Sequence, residues 1–548
     1  MKKIFKTMFV LMCGLVMTML TSCAIEDTPA PTPVQEELAD ATIIWYGCGG
    51  RNVDGFILEN FHQFYQAQSK NFDHVNVVAQ YKASFNPTVY NNVSYEEAVK
   101  WAENEVKNVS DNQLEKYDWF NYYLLFHPKK GETYRFAIDP QKPLYKQFNE
   151  MEPYGQTNAD CTNPDSLTNF INWAATHYPA KKYILFMADH GGGYMPHHDV
   201  AEAASSPQRR GLIYDDGYKV NDESKCFSAK SFARGVRNAN VHIDGIVLYL
   251  CLMNNMEFLY DAKDVTDYIV CSTYLMNARG GALQSLVDNF GTGLDTKTAL
   301  TNFVDATVDS WDTAFYQPND DQPDYYDLTL TETKRLDDLA PVLKEFTDRL
   351  VNTYQNGTDE QRTAIDECTA NAVKIYNVEP LYDMAKYMEN LFMMLPEVFD
   401  KNLFNRVKTA FNGCIVHQRY GKYLADHNYQ VDYSVLLAVK GAYVIYRYDA
   451  TDQNLQTAQA YYPDGTWKKY NYIDDGGNSS DGSLAHYEFT EEGSWFNTFA
   501  DTYQNTTFDR LVGWSRWLLI NESAPPAWSP SSFNFVLPED DMSGTPTL

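Results

Sequence analysis

Two short segments carry the side chains best suited to covalent chemistry. In ADHGGGY, Asp189, His190 and Gly191 follow an apolar run, and in YLCLM, Cys251 follows another apolar run later in the chain. A thiol attacks a carbonyl efficiently only as a thiolate, and a nearby imidazole can take the proton and return it to a leaving amine. The two segments therefore predict nucleophilic attack by sulfur on an acyl group.

Both segments are predicted to lie where β-strands end. The apolar residues 183–188 (YILFMA) lead into the histidine segment, and residues 244–250 lead into the cysteine segment. Functional groups of parallel sheets gather at the carboxyl ends of the strands. Gly191 permits close approach of a substrate, and a helix predicted over residues 252–262 places its positive end at the sulfur. The sequence thus predicts that the two segments share one site.

The surrounding elements predict an α/β fold for residues 41–295. Further strands are predicted over residues 42–48, 75–81 and 267–272, and helices are predicted to start at Asn163-Pro164-Asp165 and to cover residues 229–236. Continuous apolar runs are typical of parallel strands covered on both faces. The predicted architecture is a mostly parallel sheet sandwiched by helices.

Length and pattern predict additional structure after this domain. A chain of 548 residues exceeds the size at which one core stops growing. Residues 296–430 are predicted to be helical, with helices over residues 300–315, 331–354, 360–375 and 380–399. Residues 431–548 are predicted to form a small β-containing C-terminal module.

The N-terminus predicts export and lipid attachment. Residues 1–22 have a basic start and a short apolar stretch over residues 8–20, as in a signal peptide. The stretch ends in Leu-Thr-Ser before Cys23, which resembles the lipobox of bacterial lipoproteins. Acyl chains at Cys23 would anchor the protein to the bacterial cell envelope, with the outer membrane as the expected location, and the proline-rich residues 23–40 would act as a tether.

Charge and cysteine spacing exclude several classes of function. The formal net charge is −29, and a field of that sign repels nucleic acid. Seven cysteines follow Cys23, without a CxxC pair, so the spacing indicates neither a disulfide framework nor a zinc site. No EF-hand pattern is present, and the acidic residues 319–327 are too irregular for a calcium loop. We therefore predict no metal and no cofactor.

The two segments, in this order, resemble the clostripain family of cysteine peptidases, which has a caspase-like fold. The family pattern is an apolar strand ending in DHGGG and an aromatic residue, then a strand ending in DxCLM with a glutamate in the next helix, here Glu257. The resemblance implies that Cys251 is the nucleophile and His190 is its base or ion-pair partner. It also implies that Gly191 and the N–H of Cys251 bind the oxyanion, and calcium is associated with some members.

This chain departs from the family where specificity is expected. The family places an aspartate two residues before the nucleophile, where it pairs with a basic substrate side chain, and this chain has Tyr249 there. A lysine or arginine without a carboxylate partner would be poorly accommodated. We expect Tyr249, Tyr274 and Met276 to form an apolar or large pocket without strict preference for Arg or Lys. Arg209 and Arg210 lie in a loop where relatives are often cleaved during maturation.

The sequence-based hypothesis is a cell-envelope cysteine endopeptidase acting on proteins or peptides. One alternative is a surface lipoprotein in which a degenerate peptidase fold binds glycan or protein, which the altered pocket and the abundant Tyr and Trp also fit. Another is a different amide hydrolase using the same Cys–His pair. Natural substrate, oligomeric state and maturation are not fixed by the sequence.

Overall fold

The apolar runs of the sequence form strands that are buried on both faces in the computed structural model of the protein. The structure describes residues 38–48, 53–83, 131–142, 153–193, 211–220, 223–276, 280–316, 325–373, 375, 381–427, 429–436, 445–448, 457–461, 467–471, 503–518 and 520. In the described residues the strands are β1 (Ala41–Cys48), β2 (Val75–Lys82), β3 (Thr133–Ala137), β4 (Tyr183–Ala188), β5 (Leu212–Val220), β6 (Glu223–Phe227), β7 (Ile243–Tyr249), β8 (Thr266–Cys271), β9 (Asp327–Glu332), β10 (Leu381–Asp383), β11 (Ile415–Tyr420), β12 (Ser434–Leu436), β13 (Ile445–Tyr448), β14 (Thr457–Tyr461) and β15 (Trp467–Asn471).

Eight of these strands form the central sheet, in the order β11-β9-β8-β7-β4-β1-β2-β3. The five strands from β8 to β2 run parallel to one another. At one edge, β3 is antiparallel to β2. At the other edge, β9 is antiparallel to β8, and β11 is antiparallel to β9. The mostly parallel sheet predicted from the sequence is confirmed.

Helices cover both faces of this sheet. They are α1 (Asp54–Tyr65), α2 (Pro164–His177), α3 (Ala229–Arg237), α4 (Met256–Ala262), α5 (Gln284–Gly291), α6 (Thr296–Phe315), α7 (Leu336–Asn356), α8 (Asp359–Ala370), α9 (Met384–Met394), α10 (Lys401–Cys414), α11 (Lys422–Asp426), α12 (Thr507–Val512) and α13 (Ser515–Leu518). Alternate residues of each strand face opposite sides. On β1, Ile44 and Tyr46 belong to a core shared with α2, α3, α4 and α7, which we call the first core. Ile43 and Trp45 belong to the second core, shared with α1, α5 and α6.

The sheet continues beyond the predicted end of the peptidase domain. Strands β9 and β11 lie within residues 296–430, for which only helices were predicted, and they pair with the same sheet through β8. The helix predicted to start at residue 331 begins at Leu336, after β9 and a short 3₁₀ turn over Thr333–Arg335. The structure of this segment is therefore determined by pairing with β8 and not by the local sequence pattern.

Residues 503–518 also belong to the sheet-bearing part of the chain. Tyr503, Phe508 and Trp514 are buried in the first core, although the sequence places them in a C-terminal module. The described residues after Leu38 fall in one compact unit. Within the described ranges, no helix combines the length and the apolar character needed to cross a bilayer. Cys23, Arg209 and Arg210 lie outside the described residues.

Candidate active site

The register of two neighbouring strands brings the predicted catalytic residues together. Strands β4 and β7 are parallel, and Ala188 lies opposite Tyr249. His190 and Cys251 each follow their paired residue by two positions. Both therefore leave the sheet side by side at its carboxyl edge, as the sequence predicts.

Direct packing of the two loops confirms that they adjoin. A Cβ atom built on Gly191 would lie 2.7 Å from the amide nitrogen of Cys251 and 2.9 Å from Cβ of Leu250, and closer still to the Cys251 carbonyl oxygen. Real Cβ atoms do not approach backbone atoms this closely. Only glycine allows the backbone after His190 to lie against the backbone of the cysteine.

Asp189 fixes the backbone of the histidine loop. Its buried carboxylate accepts the N–H of His190 through Oδ1 and the N–H of Tyr214 through Oδ2, both at 2.7 Å. The N–H of Ile213 donates to the carbonyl of His190 at 3.2 Å, and the rings of His190 and Tyr214 meet edge to face at 6.4 Å. The start of β5 thus holds the imidazole in place. No sequence motif identified Ile213 or Tyr214.

The sulfur of Cys251 lies among backbone N–H donors. The N–H of Met276 donates to Sγ at 3.2 Å, and Cys251 itself is half-buried. Burial raises the pKa of the Cys251 thiol above its usual value, while N–H groups of Met276, Gly191 and Cys251 itself lower it in part. The two amides that the family resemblance assigns to the oxyanion, those of Gly191 and Cys251, are thus close enough to the sulfur to affect its pKa.

The predicted helix at the cysteine is wrong in one respect. Leu252 has a positive φ of 64°, which turns the chain out of the sheet instead of into a helix. Helix α4 starts only at Met256, and the side chain of Asn255 caps it by accepting the N–H of Phe258. Because Cys251 is not in the first turn of α4, the helix end does not supply the thiolate stabilisation that the sequence suggested.

Residues 252–254 instead pair with the segment after β8. The N–H of Leu252 donates to the carbonyl of Tyr274, and the N–H of Asn254 donates to the carbonyl of Ser272, each at 2.9 Å. Beneath this segment, Oδ1 of Asp327 accepts hydrogen bonds from the Ser272 hydroxyl and from two N–H groups, those of residue 273 and Tyr274, at 2.8–2.9 Å. The carboxyl of Asp327 supports the loop that supplies Met276.

Asp327 is a structural residue that the sequence did not reveal. In the sequence it stands at the end of an irregular acidic stretch. In the structure its side chain is fully buried, and burial raises the pKa of its carboxyl to about 6. No local signal marks it, because its hydrogen-bond partners come from the loop after β8.

The three predicted pocket residues do not lie together. Tyr249 is buried in the second core, where its ring stacks on Phe186 at 5.9 Å and meets Trp311 at 6.2 Å. Met276 is half-buried and packs against the same core. Tyr274 lies in the first core, and its hydroxyl donates to the carbonyl of Tyr429 at 2.8 Å. Tyr249 and Met276 thus share one side of the sheet, and Tyr274 packs on the other.

Glu257 has a structural setting away from the sulfur. It is fully buried, and its Oε1 accepts the hydroxyl of Tyr503 at 2.8 Å. One turn later Asp261 accepts the N–H of Thr507 at 2.9 Å. Helix α4, which follows the nucleophile, is therefore attached to residues 503–518.

Two groups of side chains in the described residues have the spacing of metal ligands. One is Cys48, Cys161 and Asp215, all buried, and the other is His242, Asp244 and Asp267 near the protein surface. Neither group contains His190 or Cys251.

Comparison with known proteins places this site in a family. Residues 142–500, more than half of the chain, match the model of the clostripain family. This segment contains both His190 and Cys251, whereas β1 and β2 precede it. Over 177 residues the chain is 26% identical to clostripain from Hathewaya histolytica, covering 30% of this chain and 32% of that protein. The chain thus spans about a third of the length of this curated relative.

Two solved bacterial proteases are also similar to this chain. A secreted C11 cysteine protease from Bacteroides thetaiotaomicron, in complex with an irreversible peptide inhibitor, is 12% identical, with a TM-score of 0.48 over 87% of this chain and 99% of that one. An inactive zymogen C11 protease from Parabacteroides distasonis is also 12% identical, with a TM-score of 0.46 over 87% and 99%. With the family match covering the reactive pair, the chain belongs to the clostripain family of cysteine peptidases.

Proposed function

We propose that the protein is a cysteine endopeptidase in which Cys251 attacks the peptide carbonyl and His190 transfers the proton. The observation that carries the proposal is the register of β4 and β7, which leaves both residues at one edge of the sheet. The packing of Gly191 against Cys251 supports it, because the two loops are in direct contact. Family membership supplies the reaction class.

In the proposed mechanism His190 acts first as a general base. The raised pKa of Cys251 keeps the resting thiol neutral, so its proton passes to the imidazole as the sulfur attacks. The negative oxygen that forms is stabilised by the N–H groups of Gly191 and Cys251. The imidazolium then donates the proton to the leaving amine, and water hydrolyses the thioester by the same route.

Asp189 has a positioning role in this mechanism. Its carboxylate binds the backbone N–H of His190 and the backbone N–H of Tyr214, so it holds the loop and not the imidazole. A well-oriented base contributes much of the rate acceleration of such enzymes. The hydrogen bonds of Asp189 preserve that orientation before substrate binds.

We further propose that the enzyme has no strict preference for Arg or Lys at the substrate position before the cleaved bond. Tyr249, which replaces the family aspartate, is packed against Phe186 and Trp311 and offers no charge. Met276 packs against the same side. A basic side chain there would lose hydration without gaining a partner, which costs several kcal/mol on general grounds.

Attachment to the cell envelope through Cys23 remains part of the proposal. The lipobox-like sequence and the acidic, proline-rich residues that follow support it. Incorporation of labelled palmitate into the full-length protein, and its loss in Cys23→Ala, would test this part separately from catalysis.

A peptide library and three substitutions test the proposed activity. We expect the unsubstituted protein to cleave library peptides and Cys251→Ala to lose activity by a factor on the order of 10⁵ to 10⁶. His190→Ala should be similarly impaired. Cys368→Ala is the control because Cys368 is another free thiol but lies in α8 and not at the ends of β4 and β7, and it should retain activity. Equal behaviour of Cys251→Ala and the unsubstituted protein would favour a binding protein instead.

Alkylation by iodoacetamide tests the protonation state of the resting pair. A neutral thiol reacts roughly tenfold faster for each pH unit between 6 and 8, because only the thiolate attacks. A preformed thiolate–imidazolium pair reacts at a rate independent of pH over this range. The pH-independent result would contradict the general-base mechanism and leave the nucleophile assignment intact.

A further inference from the structure

A buried group of four polar side chains lies beside the histidine loop. Cys48 ends β1, Lys82 ends β2, Cys161 precedes α2, and Asp215 lies in β5. Cys48 and Asp215 are fully buried, and Lys82 and Cys161 are nearly so. None of the four takes part in the proposed hydrolysis, so their burial needs another explanation.

The two thiols in this group are neighbours. The sulfur atoms of Cys48 and Cys161 lie within 4.8 Å of each other. Both backbone groups of Cys161 are held: its N–H donates to Asp215 at 2.9 Å, and its carbonyl accepts the hydroxyl of Tyr46 at 2.6 Å. The pair is therefore positioned by the fold and does not meet through a mobile loop.

The charges of the group do not fit a metal ion. Nζ of Lys82 donates to both oxygens of Asp215, at 2.7 and 2.6 Å, and to the carbonyl of Ala159 at 2.7 Å. The ammonium already occupies the position next to the carboxylate where a cation would bind. A divalent ion would be repelled by Lys82 and would have to displace it. Disulfide formation needs no such displacement.

We propose that Cys48 and Cys161 form a disulfide when the chain folds under oxidising conditions. Such conditions are typical of the compartments outside the bacterial cytoplasm, so in the cell this inference rests on the export proposed above. The supporting observation is the distance between the sulfur atoms, less than 4.8 Å, which side-chain rotations would have to shorten to about 2 Å.

The oxidant is a disulfide, either of a small molecule or of a thiol oxidoreductase. One cysteine thiolate attacks a sulfur of the oxidant, forms a mixed disulfide and releases one thiol. The other thiolate then attacks the protein sulfur of the mixed disulfide and releases the second thiol. Two protons and two electrons pass from the cysteines to the oxidant, which leaves as two thiols.

The bond is expected to form before the core closes. Burial raises the pKa of Cys48 well above its usual value and that of Cys161 to about 12, so thiolates are scarce in the folded protein. In the unfolded chain both thiols ionise normally and react. Once folding buries the bond, reductants no longer reach it.

The disulfide would join two elements that support the histidine loop. Cys48 lies at the end of β1 beside β4, and Cys161 is hydrogen-bonded to Asp215 of β5. Strand β5 in turn holds His190 through Ile213 and Tyr214. Closing this long loop stabilises the folded chain mainly by restricting the unfolded one.

Thiol mapping after oxidative refolding tests the proposal. The full chain carrying Cys251→Ala, which removes the reactive nucleophile, is refolded from urea with reduced and oxidised glutathione. Free thiols are then blocked in urea and counted. We expect two fewer blocked thiols than in the fully reduced chain. A proteolytic digest should contain a peptide pair joined through Cys48 and Cys161.

Matched variants and a stability measurement decide the interpretation. Cys48→Ser should abolish the linked peptide and free Cys161, whereas Cys368→Ser, at another buried thiol, should leave the link intact. If Cys48→Ser fails to fold, the test uses the urea midpoints of the oxidised and reduced forms of the Cys251→Ala chain instead. We expect the oxidised form to unfold at the higher urea concentration. Free Cys48 and Cys161 after refolding, or a lower midpoint for the oxidised form, would overturn the proposal. Because no readout requires peptide hydrolysis, an inactive protein would not affect the result.

Discussion

Replacing Gly191 by alanine tests how closely the two catalytic loops must approach. The added Cβ would lie 2.7 Å from the Cys251 nitrogen, whereas ordinary contacts need about 3.5 Å. The loops must therefore separate by at least roughly 0.8 Å, because the contact with the Cys251 carbonyl oxygen is closer still. A misplacement of about 1 Å at a reacting group costs around 100-fold in rate, or about 2.7 kcal/mol of transition-state stabilisation. The crowding should also destabilise the fold by about 1–3 kcal/mol.

The assay compares kcat/KM for a fluorogenic peptide chosen from the library, together with thermal unfolding. Gly413→Ala is the matched control, because a Cβ at this exposed position in α10 meets nothing within 4 Å. It should retain full activity and gain about 0.5–1 kcal/mol, since alanine favours a helix more than glycine does. A Gly191→Ala enzyme within threefold of the unsubstituted activity, at unchanged melting temperature, would refute the proposed close approach of the loops.

Three further substitutions probe the framework. Lys82→Met leaves the buried carboxylate of Asp215 without its ammonium and should lower the free energy of unfolding in urea by about 3–5 kcal/mol. Adding Asp215→Asn should restore part of that stability, and a double variant with no gain in stability would contradict the ion-pair explanation. Because the folded pKa of Asp327 is raised from 3.8 to about 6, its carboxyl costs stability as the pH rises through that window, by about 3 kcal/mol in total. Asp327→Asn should therefore flatten the dependence of unfolding free energy on pH between 4 and 6. The same pH dependence in the variant and the unsubstituted protein would contradict this role of Asp327. Tyr503→Phe removes the buried hydrogen bond to Glu257 and should lower stability by about 1–3 kcal/mol in thermal unfolding, whereas an unchanged melting temperature would mean that the contact is dispensable.

The central parallel strands were predictable because burial on both faces gives continuous apolar runs. The strand predicted over residues 183–188 coincides with β4, and the one predicted over residues 244–250 is displaced by one residue from β7. Ends of parallel strands meet at one edge, so the positions of His190 and Cys251 followed from the strand assignments. That part of the site required no knowledge of long-range packing.

Features that depend on distant partners were not predictable. Strand β9 alternates polar and apolar residues and contains two threonines, and it is a strand because β8 lies beside it. The helix predicted directly after Cys251 failed because the backbone of Leu252 pairs with that of Tyr274. The side of the sheet on which Tyr274 packs, and the meeting of Cys48 with Cys161, likewise depend on contacts between segments far apart in sequence.

The packing of residues 503–518 has a consequence for when the protein becomes active. Tyr503, Phe508, Trp514 and Trp517 fill the first core, and Tyr503 and Thr507 bind the helix that follows Cys251. A nascent chain that ends before Tyr503 lacks these aromatic groups, so the nucleophile loop has no completed support. Hydrolytic capacity should therefore arise only after residues 503–518 have been synthesised and packed against the first core.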